Sequence, residues 1–123
     1  MKRLTRSEEE LMQMIWQYGP CTVSQLISHM DNPKPPHSTI SSIMRILEKK
    51  GFVNHKAYGR TYEYFAVVDK QSYSRFSLKN LAKNYFEGSM NDMVSFLVRE
   101  NDLSLNDLGE LLDQLDNDKR ETK

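Results

Sequence analysis

The chain has 123 residues, of which 38% are hydrophobic, and its 17 basic residues balance 17 acidic ones to a formal net charge of zero. This length fits one domain, or one domain with a short appendage. No apolar run approaches the roughly 20 residues that span a membrane, and the opening MKRLTRSEEE lacks the apolar region of a signal peptide, so we expect a cytoplasmic protein. Its single cysteine, Cys21, excludes a disulfide framework and a cysteine-based metal cage.

Two short helices are predicted before a proline-rich loop at residues 31–36. The segment Ser7–Glu10 fits a capping box, in which a Ser and a Glu side chain satisfy each other's free backbone donors. Apolar residues at helical spacing follow it until Gly19-Pro20. The segment Thr22–Gln25 fits a second capping box, which predicts the second helix.

The third helix, predicted from Ser38 to Lys50 and closed by Gly51, has two very different faces. Its apolar face consists of Ile40, Ile43, Met44 and Leu47. Four Ser and Thr residues occupy its first half, although both types are poor helix formers and capping accounts for only one of them. Small hydroxyls let a helix approach a duplex closely and bond phosphates or base edges. We therefore expect these side chains to face bases: Thr39, Ser41, Ser42 and Arg45.

A β-hairpin is predicted next, because strand-like runs at residues 52–53 and 62–68 flank Gly59-Arg60. A helix-turn-helix followed at once by a two-stranded ribbon is the winged-helix plan, whose second helix enters the major groove. Residues 37–62 hold five basic residues and one acidic residue. A surface helix that is exposed to solvent and does not bind DNA would carry a similar excess of basic residues, so the charge count alone leaves both interpretations open. In the DNA-binding interpretation, these side chains approach phosphates from the helix and the wing: Ser38, Lys49, Lys56 and Arg60.

The remainder of the chain is helical and acidic, with eleven acidic and eight basic residues after residue 68. Helices are predicted to start at Asp69, Ser89 and Ser104, and the last charged residues form a frayed tail. The predicted fold is mainly α-helical with a small β-hairpin. We expect a winged helix-turn-helix domain at residues 1–68, followed by a C-terminal helical dimerisation region at residues 69–123.

Apolar stripes on these later helices need a partner surface. A second copy of the chain can supply one, since two-fold symmetry is the commonest arrangement of soluble oligomers. A monomeric six-helix core is the alternative. The residues predicted to form the dimer interface are Leu78, Leu81, Tyr85, Met93, Leu97, Leu108, Leu112 and Leu115.

Signals for catalysis and for metal binding are lacking in the sequence. The three histidines, His29, His37 and His55, do not fall at a metal-ligand spacing, and no Ser-His-Asp order or Gly-rich phosphate loop is present. We therefore predict no enzyme, no metal and no cofactor. The leading hypothesis is a homodimeric repressor that binds double-stranded DNA. A winged-helix protein-interaction module and a ligand-sensing regulator of the MarR kind are the alternatives.

The order of elements and three segments resemble the penicillinase repressor family, of the BlaI/MecI/CopY type. The segments are TISSIMRILEKKGFVNHKAYGRTYEY, the LMQMIW that contains Trp16, and LSLNDLGELLDQL, and the resemblance extends from about Leu4 to Leu115. It implies a homodimeric transcriptional repressor whose winged helix binds a palindromic operator and whose C-terminal helices form the dimer. It also implies a possible regulatory protease, which relieves repression by cutting the C-terminal part.

The chain departs from this family at several positions. The Asn-Phe pair at which members are cleaved aligns with Phe96-Leu97, so that pair is absent. The C-terminal cysteine cluster of the copper-responsive branch is also absent, which argues against copper sensing by that route. Arg45 lies one place before a basic position of the family, and the resemblance therefore implies a different operator sequence. In the third helix, which is the recognition helix of the family, this chain has Ser38, Ser41 and Ile46 at positions where the family has basic residues.

Overall fold

The computed structural model of the chain describes residues 1–100. Over this part the predicted fold is confirmed, because three helices, a small antiparallel sheet and two further helices follow one another. The last predicted helix and the charged tail lie outside the described residues. No helix within residues 1–100 is long and apolar enough to cross a membrane. The elements are α1 (Arg6–Tyr18), β1 (Cys21–Thr22), α2 (Val23–Ser28), α3 (His37–Lys49), β2 (Val53–Tyr58), β3 (Thr61–Ala66), α4 (Lys70–Tyr85) and α5 (Met90–Glu100).

Helix α1 is capped by Thr5, so the predicted capping box at Ser7 and Glu10 is wrong. The Thr5 N–H donates to the Glu8 carboxylate at 2.8 Å, and the Glu8 N–H donates to the Thr5 hydroxyl at 3.3 Å. Both segments match the same sequence pattern. Tertiary contact decides between them, because the Glu8 carboxylate is buried against Lys50, at 2.7 Å, whereas Glu10 is exposed.

Helix α2 starts at the predicted capping box, but a short strand precedes it that the sequence does not predict. Thr22 and Gln25 exchange two hydrogen bonds of 2.9 and 3.2 Å. Cys21 pairs with Tyr64 of β3, and Thr22 pairs with Glu63, which makes a three-stranded sheet in the order β1-β3-β2. Two residues are too few to show the alternation by which a strand is recognised in a sequence.

The hairpin turns at the predicted Gly59-Arg60. Tyr58 and Thr61 face each other as the last pair of the β2–β3 ladder, which leaves a two-residue turn. Gly59 has a φ of 65°, while Arg60 is not in the left-handed region. Glycine at the first position of a two-residue hairpin turn is typical of type II′, whose twist matches that of the strands. The turn therefore presents the Arg60 side chain at the tip of the wing.

The winged-helix core joins the first three helices to the sheet. Phe52, which is 1% exposed, meets the ring of Tyr73 edge-on at a centroid distance of 5.6 Å. The indole N–H of Trp16 donates to the carbonyl oxygen of Val68 at 2.9 Å, which ties α1 to the end of the wing. The other large side chains of this core are Leu11, Met12, Ile15, Leu26, Ile40, Met44, Leu47 and Val53.

The chain divides into two compact units between Tyr73 and Ser74, within α4. The boundary predicted from the sequence lies after Val68, and the dimerisation role of the second part stays a prediction. Helices α4 and α5 each start at the predicted cap. Asp69 and Ser89 accept the N–H of the third residue along, at 2.6 and 3.1 Å.

Candidate nucleic-acid interface

Helix α3 separates a buried apolar face from an exposed polar one. Ile40, Met44 and Leu47 are at most 5% exposed and hold the helix on the core. The predicted apolar face is thus confirmed. The predicted polar residues lie at the surface: Ser38, Ser42, Arg45 and Lys49 are exposed, and Ser41 is half-buried. The core fixes the orientation of this helix, so that its polar face lies at the surface.

A groove of about 330 Å³ runs between α3, the start of α2 and the wing. It brings together Ser41 and Arg45 of the recognition helix and Arg60 of the wing tip, three of the side chains that the sequence predicts to meet DNA. We call it the wing groove. Its lining consists of Thr22, Val23, Ser24, His37, Ser41, Arg45, Arg60, Thr61, Tyr62 and Tyr64.

The chemistry of the wing groove suits a polyanion. Two arginines and one histidine line it, and none of the described residues that line it carries a carboxylate. Helix α3 begins after Pro36 without a side-chain cap. The first turn of α3 lies at the positive end of the helix dipole, where a phosphate oxygen is a favourable acceptor. Arginine matches phosphate and guanine acceptors in bidentate geometry.

The hydroxyls of α3 are divided between two sides of the helix. Ser41 lies 3.3 Å from Nδ1 of His37 in the wing groove, and Ser42 donates to the Ser38 carbonyl oxygen at 2.9 Å. Thr39 lines a different groove, of about 260 Å³, between α1 and the start of α3. The structure thus does not bring Thr39 together with Ser41 and Arg45.

Lys56 and Lys49 also lie outside the wing groove. Lys56 of β2 is paired with Glu63 of β3, and these two residues occupy the face of the ribbon opposite Tyr62 and Tyr64, since side chains alternate along a strand. Lys49 is exposed in the last turn of α3. Of the predicted cations, Arg45 and Arg60 are therefore the two that converge.

A contact that the sequence did not predict braces the wing against α3. His55 of β2 is hydrogen-bonded through Nδ1 to the Glu48 carboxylate of α3, and its ring stacks on Tyr62 at a centroid distance of 4.1 Å. Tyr62 in turn lines the wing groove. Period-two alternation places His55, Tyr62 and Tyr64 on one ribbon face, but nothing local in the sequence pairs His55 with Glu48.

Two buried titratable groups near the wing groove stay protonated at neutral pH. Burial raises the pKa of the Tyr64 hydroxyl, and the negative charge of Glu48 raises it further. Burial likewise raises the pKa of the Cys21 thiol, with a contribution from Glu63. Tyr64 is therefore a neutral hydrogen-bond donor beside Arg45, and Cys21 is an unreactive core residue. Among residues 1–100, no three His, Cys, Asp or Glu side chains are grouped so as to hold a metal ion.

The second unit exposes most of the described residues predicted to form a dimer. Leu78, Leu81, Tyr85 and Leu97 are 41% to 75% exposed, whereas Met93 is buried at 3%. An apolar groove of about 440 Å³ between α4 and α5, here called the helical groove, is lined by Leu81, Tyr85, Phe86, Met93, Phe96 and Leu97. The predicted interface residues Leu108, Leu112 and Leu115 lie outside the described residues.

Comparison with known proteins bears out the resemblance seen in the sequence. The protein-family model for the penicillinase repressor matches residues 4–117 of the chain. The chain is 25% identical over 123 residues to the penicillinase repressor of Bacillus licheniformis, covering 97% of this chain and 96% of that protein. It is 26% identical over 109 residues to the methicillin resistance regulatory protein MecI of Staphylococcus aureus (strain N315), covering 88% and 89% of the two chains. The chain therefore belongs to the penicillinase repressor family, whose members are DNA-binding repressors of transcription and not enzymes.

Proposed function

We propose that the protein is a cytoplasmic homodimer that represses transcription by binding a palindromic operator through α3 and the wing. The observation that carries this proposal is the wing groove, where Arg45 and Arg60 converge with hydroxyls and no described carboxylate lines the surface. In winged-helix proteins the second helix of the helix-turn-helix enters the major groove. The family to which the chain belongs supports the same role.

Within this proposal, the side chains divide by position. Arg45, Ser41 and Ser42 approach base edges from the middle of α3. Ser38 and Lys49 contact phosphates from its two ends, and Arg60 does so from the wing tip. Thr39 and Lys56 lie outside the wing groove. We propose that these two meet the duplex only at the margins of the interface, where they contribute less.

Dimerisation follows in the proposal from the apolar surface of the second unit. Leu78, Leu81 and Tyr85 are each more than two-fifths exposed on α4. A second copy that covers them would place two recognition helices on one duplex. Two-fold symmetry in the protein then requires a palindromic operator, with half-sites one or more helical turns apart.

The experiment that tests the proposed function is a titration of the purified chain with its own upstream DNA, at several salt concentrations and with excess nonspecific duplex. We expect saturable binding that survives the competitor and weakens steeply with salt, because phosphate contacts release counterions. Binding no tighter than that of the competitor would contradict the proposal. It would favour a protein-interaction module, for which no salt-dependent duplex binding is expected.

Removal of the wing-tip cation should weaken binding to every duplex alike. We expect Arg60→Ala to lower the slope of log affinity against log salt by about one for each copy of Arg60 at a phosphate. Discrimination between operator and competitor should change little. Arg99→Ala is the matched control, since it removes an exposed cation from α5 instead. An unchanged slope for Arg60→Ala would show that the wing does not touch the backbone.

Loss of the brace between wing and α3 should weaken operator binding without removal of any DNA-facing group. His55→Ala deletes both the hydrogen bond to Glu48 and the stack on Tyr62, each worth about 1 kcal/mol, so we expect operator affinity to fall by up to about 30-fold. His29→Ala is the control, because His29 also stacks on a tyrosine, Tyr18, at 3.8 Å. Equal effects of the two variants on operator affinity would contradict a positioning role for His55.

The proposal includes release from the operator by a regulatory protease. The aligned bond, Phe96-Leu97, lies inside α5, and both side chains are 41% exposed. Proteases bind their substrates as extended chains, so a helical bond must unfold locally before it is cut. Together with the absence of the Asn-Phe pair, this supports the proposal that a regulatory protease cuts another bond of the C-terminal part.

A further inference from the structure

One apolar side chain interrupts the polar surface of the recognition helix. Within α3, all of which the structure describes, Ile46 is the only apolar residue that is exposed, at 47%. Ile40, Met44 and Leu47 are buried in the core, and Ile43 is half-buried. An isolated exposed isoleucine is ordinary on a protein surface. Ile46 differs from such a residue because it lies among side chains that are proposed to contact DNA.

The position of Ile46 puts it in the row of side chains proposed to meet DNA. Residues four before and three after it share its side of the helix, and these are Ser42 and Lys49, both exposed. Arg45 lies 100° further round, towards the wing groove. A helix laid in the major groove with Ser42 and Lys49 against the duplex therefore also brings Ile46 against it.

The chemistry of the major groove then identifies what Ile46 meets. Base edges there carry hydrogen-bond donors and acceptors, apart from one apolar group, the 5-methyl of thymine. An isoleucine cannot satisfy a donor or an acceptor, so burial against one costs binding free energy. Burial against a methyl group is favourable. Resting on the proposed function, we infer that Ile46 contacts a thymine 5-methyl group in each half-site and so sets the preference for thymine at that position.

The test uses a duplex that the wild-type chain selects from a random pool. Each thymine of one half-site is replaced in turn by deoxyuridine, which removes only the methyl group, and the dissociation constant is measured. We expect one thymine at which the wild-type chain loses about fourfold in affinity, the value of one buried methyl group. Ile46→Ala should bind the thymine and uracil duplexes equally. Val67→Ala, which truncates a side chain 59% exposed outside α3, should keep the fourfold difference.

Three results of these titrations would overturn the proposed contact between Ile46 and a thymine methyl group. A methyl effect that persists in Ile46→Ala, with its unfolding curve intact, would assign the methyl contact to another residue and overturn it. A wild-type chain that selects a sequence yet ignores every methyl group would also overturn it, while the proposed function would stand. A chain that selects no sequence would overturn both. Ile46→Val, which keeps the branch at Cβ, should retain part of the discrimination.

Discussion

Leu81→Glu is expected to convert the proposed dimer into monomers and to weaken operator binding by about 100-fold or more. Two linked half-sites gain a factor of about 10²–10⁴ over one, because the second contact is intramolecular. Leu81 lines the helical groove and is 44% exposed. A carboxylate placed there would have to be buried without a partner when a second copy covers the groove, at a cost larger than a leucine contributes.

Two measurements check this expectation. Sedimentation velocity reports the oligomeric state, and titration with the selected operator reports the affinity. Ser95→Glu is the matched control, since it adds the same charge at an exposed residue of α5 that does not line the helical groove. A Leu81→Glu chain that remains a dimer with wild-type affinity would show that this groove is not the dimer interface.

The features that the sequence predicts well are those set by local rules. The burial of Ile40, Met44 and Leu47 follows from helical periodicity alone. The turn at Gly59 and the cap at Asp69 follow from the backbone preference of glycine and the hydrogen bonding of an aspartate side chain. These local rules suffice to predict a winged helix, because they indicate the three helices and the hairpin turn within a few residues.

The features that the sequence does not predict depend on contacts between distant segments. The sequence predicts that both Thr39 and Ser41 face bases, but only the position of the wing shows which of them shares a groove with Arg45. The link between His55 and Glu48 joins two elements, and no pattern inside either element encodes it. The partner of the second unit is harder still to predict from the sequence, because exposed leucines indicate a partner surface without identifying the partner.

The buried ion pair of Glu8 and Lys50 is another such long-range contact. It joins the start of α1 to the end of α3 at 2.7 Å, and the two side chains are 4% and 22% exposed. Burial alone would raise the pKa of the Glu8 carboxyl, but hydrogen bonds from Lys50 and Thr5 outweigh it and hold that pKa below its usual value. The ionised carboxylate therefore stabilises the fold at neutral pH.

Removal of the cation should reveal how much the pair contributes. We expect Lys50→Met to lower the free energy of unfolding by about 3 kcal/mol at neutral pH, because it leaves the Glu8 carboxylate buried without its counter-ion. Lys49→Met, which removes a neighbouring exposed charge, should change it by about 0.5 kcal/mol or less. Urea unfolding followed by circular dichroism measures both. Equal values for the two variants would show that the pair is not a structural tie.

The dependence of the free energy of unfolding on pH should distinguish the contributions of Glu8 and Lys50. In the wild-type chain the lowered pKa of Glu8 gives stability that is fully present above the unfolded-state pKa of about 4.3 and is lost as pH falls through the folded-state pKa. Glu8→Gln lacks this contribution, so its deficit should narrow as the pH falls. Lys50→Met removes the hydrogen bond and the charge of Lys50, so the pKa of Glu8 should lie higher in this variant than in the wild type. The stability deficit of Lys50→Met should therefore narrow as the pH falls and the carboxylate takes up a proton. Parallel pH profiles for wild type and Lys50→Met would contradict the assignment of the lowered pKa to Lys50.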